Sequence, residues 1–137
     1  MGNDKGNSEF EHLNNLAVRF GIYFNEDSHH RVVGNDFDAG KFSDLPRHPI
    51  FSGVKQIYLK EISSLEVAKP AESILTQLGI TFMASARVGR GLVFAVGDPW
   101  LYNEYIDSRR LPREFENTKA GENLFRWLLD DGRSGKQ

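Results

Sequence analysis

The chain has 137 residues, no cysteine, 17 Lys and Arg against 19 Asp and Glu, and 39% hydrophobic residues beside 13 glycines. With glycine counted, the apolar share is roughly 48%, the range of a folded domain, and the length suits a single one. A net charge of −2 without a run of about five like charges excludes nonspecific nucleic-acid or anionic-membrane binding, while the lack of Cys excludes disulfides, thiolate metal sites and a cysteine nucleophile.

The opening residues Met1 to Asn7 have neither the basic start nor the apolar core of a signal peptide, so an export signal would have to belong to a longer parent. Such a parent would place the domain in the periplasm or outside the cell; otherwise it is expected in the cytoplasm. Ser8 and Glu11 form an S-x-x-E capping box ahead of Phe10, Leu13, Leu16, Ala17 and Phe20, whose spacing predicts an amphipathic helix. Gly21 supplies a left-handed cap, and Ile22-Tyr23-Phe24 reads as a strand. From Asn25 to Pro49 the chain is polar and irregular, with a brief strand expected at Arg31-Val32-Val33.

Five further strands are expected, around Gln56 to Leu59, Ser64 to Val67, Ser73 to Thr76, Thr81 to Ala84 and Leu92 to Val96. Gly89-Arg90-Gly91 has hairpin length, which makes the last two antiparallel. The unbroken apolar run Leu92 to Val96 predicts a strand covered on both faces and placed centrally, and it is far shorter than the ~20 residues of a membrane-spanning helix. After Pro112, Asn117 or Thr118 can cap a helix with Ala120, Leu124, Trp127 and Leu128 on one face, ended by Gly132. Residues 1–132 are read as one α/β domain and 133–137 as a polar tail. A doubly wound domain normally opens on a strand, so a loop and helix in first place leave room for an absent first strand.

The densest polar and aromatic segment follows the last strand. There Asp98, Trp100, Tyr102, Asn103, Glu104, Tyr105, Asp107, Arg109 and Arg110 would meet a small ligand beyond the strand's carboxyl end. The structural alternative has Asp98 capping a short helix, the aromatic rings covering the sheet edge and the arginines pairing with carboxylates. Asn3 and Asp4, before a helix N-terminus, would join the same edge or simply close a solvated turn. Adjacent His29 and His30 point to opposite faces of an extended chain and cannot share an ion, and a calcium loop from Asp36 fails at Lys41 and Arg47. No metal or cofactor is expected. Phosphate-loop, nucleophile-elbow and dinucleotide fingerprints are absent.

Several strings together resemble the domain found C-terminal to the catalytic domain in bacterial unsaturated rhamnogalacturonyl hydrolases. They are Asn3-Asp4 with Asn7 to Glu11, Arg19 to Ile22, Phe24 to Ser28, His48 to Phe51, and above all Gly91 to Pro112 with Phe115-Glu116-Asn117. More distantly, a glycine turn, an apolar strand, Gly-Asp and a following Asn look like the class I glutamine-amidotransferase-like superfamily. That superfamily includes domains related to gliding-motility and intraflagellar-transport proteins. The resemblance implies a three-layer flavodoxin-like sheet, mixed in strand direction, with helices on both faces. It also implies a noncatalytic role in pectin or rhamnogalacturonan breakdown, with the domain packing on a glycoside hydrolase catalytic domain or binding a saccharide. The amidotransferase cysteine has no counterpart here, and the helical barrel of the hydrolases is missing. Two rival expectations stand beside this one. A hydrolase or deacetylase would use Asp98, Glu104 and one of His29 or His30; a protein-interaction module would expose an apolar patch above ~600 Å².

Overall fold

The structure is a computed structural model that describes residues 1–98, 105 and 110–133, the side chains of 131–133 excepted. Helix α1 (Phe10–Ala17) runs through a 3-10 turn (Val18–Phe20) to Gly21, whose φ of 75° gives the expected left-handed cap, and directly into β1 (Ile22–Phe24). The expected Ser8 cap does not form. Glu9 is the N-cap residue and makes no side-chain cap bond, because the chain before it is closed by Asn7 on Asp4. Residues 25–56 hold two more 3-10 turns (Phe37–Gly40 and Pro49–Phe51) and the two-residue β2 (Lys41–Phe42), which pairs antiparallel with β3 (Ile57–Tyr58). Arg31 to Val33 is not a strand.

The main sheet contains β1, β4 (Leu65–Val67), β5 (Ala71–Gln77), β6 (Ile80–Val88) and β7 (Gly91–Val96), and every pairing in it is antiparallel. Among the described residues the expected mixture of strand directions is therefore corrected to an antiparallel sheet. Its connections explain this: Leu78-Gly79 and Gly89-Arg90 are two-residue turns, whereas parallel neighbours need a crossover of about a dozen residues or more. A second correction concerns the centre. The long strand β6 takes β5 on one side and both β4 and β7 on the other, while β7 has no strand partner but β6 among the described residues.

Both faces of β7 are nonetheless covered. Val93 and Ala95 share a cluster with Phe10 and Ala17 of α1, over a floor of Ala71, Ala84 and Ala86. Leu92, Phe94 and Val96 belong with Phe82, Met83 and with Ala120, Leu124 and Trp127 of α2 (Asn117–Arg133). Small residues on the first face let α1 lie close to the sheet, and large ones fill the second. Two register irregularities shape that second face. Ile74 is an extra residue of β5 and Phe82 an extra residue of β6, so Ile74, Leu75, Phe82 and Met83 all enter one cluster instead of alternating.

Helix α2 includes Gly132, which does not end it as expected. The helix packs on the side chains of Ile50, Phe51 and Ile57 and also bonds the backbone of residues 50–58. Glu116 N–H donates to Gln56 O, the Glu116 carboxylate accepts from Lys55 N–H, and Asn123 donates to the carbonyls of Ile50 and Ser52. Asn117 spends its amide on the Tyr58 backbone instead of capping.

Candidate functional site

The end of β7 is where sequence reasoning gathered most of its candidates. Gly97 donates its N–H to Phe82 O at 3.2 Å, and its carbonyl accepts Ser63 N–H at 3.1 Å. A Cβ at this position would lie 1.9 Å from Ser63 O, so only glycine fits. Asp98 is fully buried and its carboxylate accepts Lys60 N–H at 3.1 Å. The N-terminal loop arrives at the same end of the strand, since Gly2 N–H donates to Val96 O at 2.9 Å.

Asp4 is buried too. One oxygen accepts Asn7 Nδ2 at 2.7 Å, the other accepts Ser28 Oγ at 2.8 Å, and Asn3 Oδ1 accepts Asp4 N–H at 2.8 Å. Asp27 continues the network: it accepts Ser64 N–H at 2.8 Å, the Ser64 hydroxyl, and His29 Nε2 at 3.0 Å. Asn25 Nδ2 donates to Ser64 Oγ at 2.9 Å. Burial pushes the Asp27 carboxyl up, but the Ser64 hydroxyl, the Ser64 amide and His29 outweigh it and hold it below its usual value.

Of the expected site residues, the structure thus brings Asn3, Asp4 and Asp98 to one end of β7, each bonded within the protein. Tyr105 lies on the Lys60 side of Asp98. Its half-buried ring meets the Tyr58 ring at 5.3 Å, and Lys60 Nζ lies 5.8 Å from its centroid, beside the cluster of Tyr58, Leu111 and Phe115. Burial, then the neighbouring Tyr105 and the carboxylates of Glu61, Asp98 and Asp36, raises the Tyr58 phenol and keeps it neutral. Arg110 is exposed. Trp100, Tyr102, Asn103, Glu104, Asp107 and Arg109 lie outside the described residues.

Among the described residues this arrangement does not set a hydroxyl against an imidazole. Ser64 and His29 both donate to the Asp27 carboxylate, which stands between them, whereas a relay needs the hydroxyl on the imidazole. His30 holds Ala39 O through Nδ1 at 2.8 Å and meets the Phe42 ring at a tilt and the Phe82 ring edge-on. No group of three or more metal-ligating side chains occurs among the described residues. Sequence reasoning weighed Asp27, with Glu26, His29 and His30, for a metal and missed its partner Ser64, because a small polar residue outside any motif gives no periodic signal.

A different feature lies on the outer side of α1. A groove of about 440 Å³ is lined by Phe10, Glu11, Asn14, Asn15, Val18, Tyr23 and Glu26. Asn14 shapes its floor by pairing with the Phe24 backbone, donating to the carbonyl at 2.9 Å and accepting the N–H at 2.8 Å. Val18 and Tyr23 remain 51% and 45% exposed beside it.

No family model matches the chain, and no curated protein matches it significantly. Among solved structures the chain is similar to the mmIFT52 N-terminal domain, with a TM-score of 0.71 and 24% identity. The match covers 92% of this chain and 61% of that one, so the chain spans about three-fifths of the neighbour's length. At this identity the likeness is one of fold.

That neighbour corrects the resemblance to the rhamnogalacturonyl hydrolase accessory domain, and with it the expected glycoside hydrolase setting, the saccharide ligand and the hydrolase partner. The physical reason lies in the strings themselves. Within the longest of them, Gly91 to Pro112, Gly97 is fixed by its approach to Ser63 O and Asp98 is bonded to Lys60 N–H, which accounts for both residues by folding. Of the residues a stand-alone hydrolase or deacetylase would use, Asp98 is bonded to Lys60 N–H, His29 to Asp27 and His30 to Ala39 O, and Glu104 lies outside the described residues.

Proposed function

We propose that residues 1–132 act as one protein-binding domain of the intraflagellar-transport type, a structural component of a multi-chain assembly with no chemistry of its own. A three-layer arrangement, α1 on one face of the sheet and α2 on the other, belongs to this reading. Support comes from the fold shared with the mmIFT52 N-terminal domain and from the internal engagement of the polar groups at the end of β7. The single observation that carries it is the groove beside α1, where exposed Val18 and Tyr23 offer apolar contact between the carboxylates of Glu11 and Glu26. Such a surface suits a partner segment with an apolar or aromatic anchor flanked by Lys or Arg.

The test is a photocrosslinking amino acid placed in turn at Val18, at Tyr23 and at Leu78, a turn residue that is 96% exposed away from the groove. Discrete protein adducts at the first two positions and not at Leu78 are expected. Equal labelling at all three would remove the reading.

A further inference from the structure

The groove beside α1 has a neighbour. A second cavity, of about 190 Å³, is lined by Val18 and Tyr23 again, with Ile22, Val67, Ala68 and Glu66. Val18 and Tyr23 are thus a wall shared by two adjoining hollows. The larger one passes Phe10, Asn14 and Val18, which stand four residues apart, so it follows the axis of α1 for about 12 Å.

The backbone edge beside these hollows is closed. Gly21 and Asn25 face β4, since Ala68 N–H donates to Gly21 O and Asn25 N–H donates to Ser64 O. Alternation turns the groups of Phe24 outward, and the Asn14 amide occupies both of them. A strand cannot pair across Phe24, so an occupant must be held by its side chains.

Charge is one-sided. Glu11, Glu26 and Glu66 line the two cavities without any Lys or Arg, and all three are exposed. None of the three enters an ion pair among the described residues.

We propose that the two cavities together take an amphipathic helix of a partner protein, with an aromatic and an aliphatic anchor four residues apart and Lys or Arg beside them. This rests on the protein-binding function proposed above and specifies the chemistry of the partner. Cavities that share a wall ask for anchors about 6 Å apart, the spacing of positions i and i+4 on one helix face. The larger cavity has room for an aromatic ring, and the smaller, framed by Val18, Ile22, Val67 and Ala68, suits Leu. The basic flanks answer the three unpaired glutamates. Neither helix of this chain offers such a face: α1 has no Lys or Arg, and the exposed side of α2 sets Glu122 and Asp130 about Arg126.

The experiment titrates the full, isotope-labelled chain with a capped peptide, acetyl-Ala-Lys-Ala-Ala-Lys-Phe-Ala-Ala-Lys-Leu-Ala-Lys-Ala-Ala-Lys-amide. Saturable amide shifts are expected at Asn14, Val18, Tyr23 and Val67, with a gain of helix in the peptide. Moving Leu to stand two residues from Phe, at unchanged composition, should weaken binding about tenfold, as loss of one buried anchor implies. Glu66→Gln and Glu26→Gln should each weaken it about two- to fivefold, and added salt should act in the same direction.

The proposal is overturned if binding does not saturate by about 1 mM peptide, or if the two anchor spacings bind alike. It is equally overturned if both glutamine variants bind as tightly as the parent, or if the same amides shift on raising the protein concentration without peptide. Adducts at Val18 and Tyr23 without peptide binding overturn the helix alone. Absence of adducts at both positions overturns the function proposed above, whatever the peptide does.

Discussion

The side-chain amide of Asn117 occupies both hydrogen-bonding positions of the Tyr58 backbone, accepting its N–H at 2.8 Å and donating to its carbonyl at 2.9 Å. Both residues are buried, so water cannot replace either bond. Asn117→Ala should therefore cost about 2 to 4 kcal/mol, the penalty for two unsatisfied buried groups, read from urea denaturation. Asn117→Asp keeps the acceptor but sets a carboxylate against the Tyr58 carbonyl, and should lose a comparable amount. Asn123→Ala, whose bonds lie nearer solvent, should cost about 1 kcal/mol.

Glycine positions separate into those enclosed and those free. Gly97→Ala drives a Cβ to within 1.9 Å of Ser63 O and should destabilise the domain by about 3 kcal/mol or more. Gly79 has a φ of +80° and nothing within 4 Å, so Gly79→Ala should cost only the left-handed backbone strain of about 1 to 2 kcal/mol. Thermal unfolding of the two variants side by side checks the order.

Asp27 gives a pH signature. Its carboxyl is held below the unfolded value of 3.8, so the folded form binds this proton less readily than the unfolded chain. The contribution is fully present above about pH 4 and is lost as pH falls through the lower folded value. Asp27→Asn should flatten the dependence of unfolding free energy on pH between about 2 and 4. An unaltered acid limb would contradict the assignment.

The alanine floor under α1 sets a fourth expectation. Ala84 is fully buried between the sheet and the helix, with Ala86 and Ala95 beside it. Ala84→Leu should overfill this face, costing about 1 to 3 kcal/mol and shifting amide resonances along α1, with those of α2 little changed.

Much of the fold was legible in the amino-acid pattern, for definite reasons. The cap at Gly21, the strands after it and the hairpin at Gly89-Arg90 follow from local backbone preferences, which act over a few residues. The centre of the sheet was not legible, because an apolar run such as Leu92 to Val96 reports that both faces are covered and says nothing about how many edges are paired. Strand direction was misjudged where likeness to a superfamily outweighed the shortness of the connections. The polar network at the end of β7 escaped notice in its true form, since Asp27 meets Ser64, and Ser63 meets Gly97, across more than thirty residues of chain. The role of Asn14 was invisible, and Asn117 was read as a helix cap, because an amide that mimics a neighbouring strand leaves no spacing rule behind.

The attachment of α2 to residues 50–58 bears on how this protein can drift over time. The helix grips that stretch by its peptide groups, at Ile50, Ser52, Lys55, Gln56 and Tyr58, and Lys119 reaches the Gly53 carbonyl in the same way. Recognition of this kind is indifferent to what the gripped residues carry outward. Ser52, Lys55 and Gln56 can be exchanged freely during divergence while the two segments stay joined, so related chains could share this join and look unrelated through the very stretch that makes it.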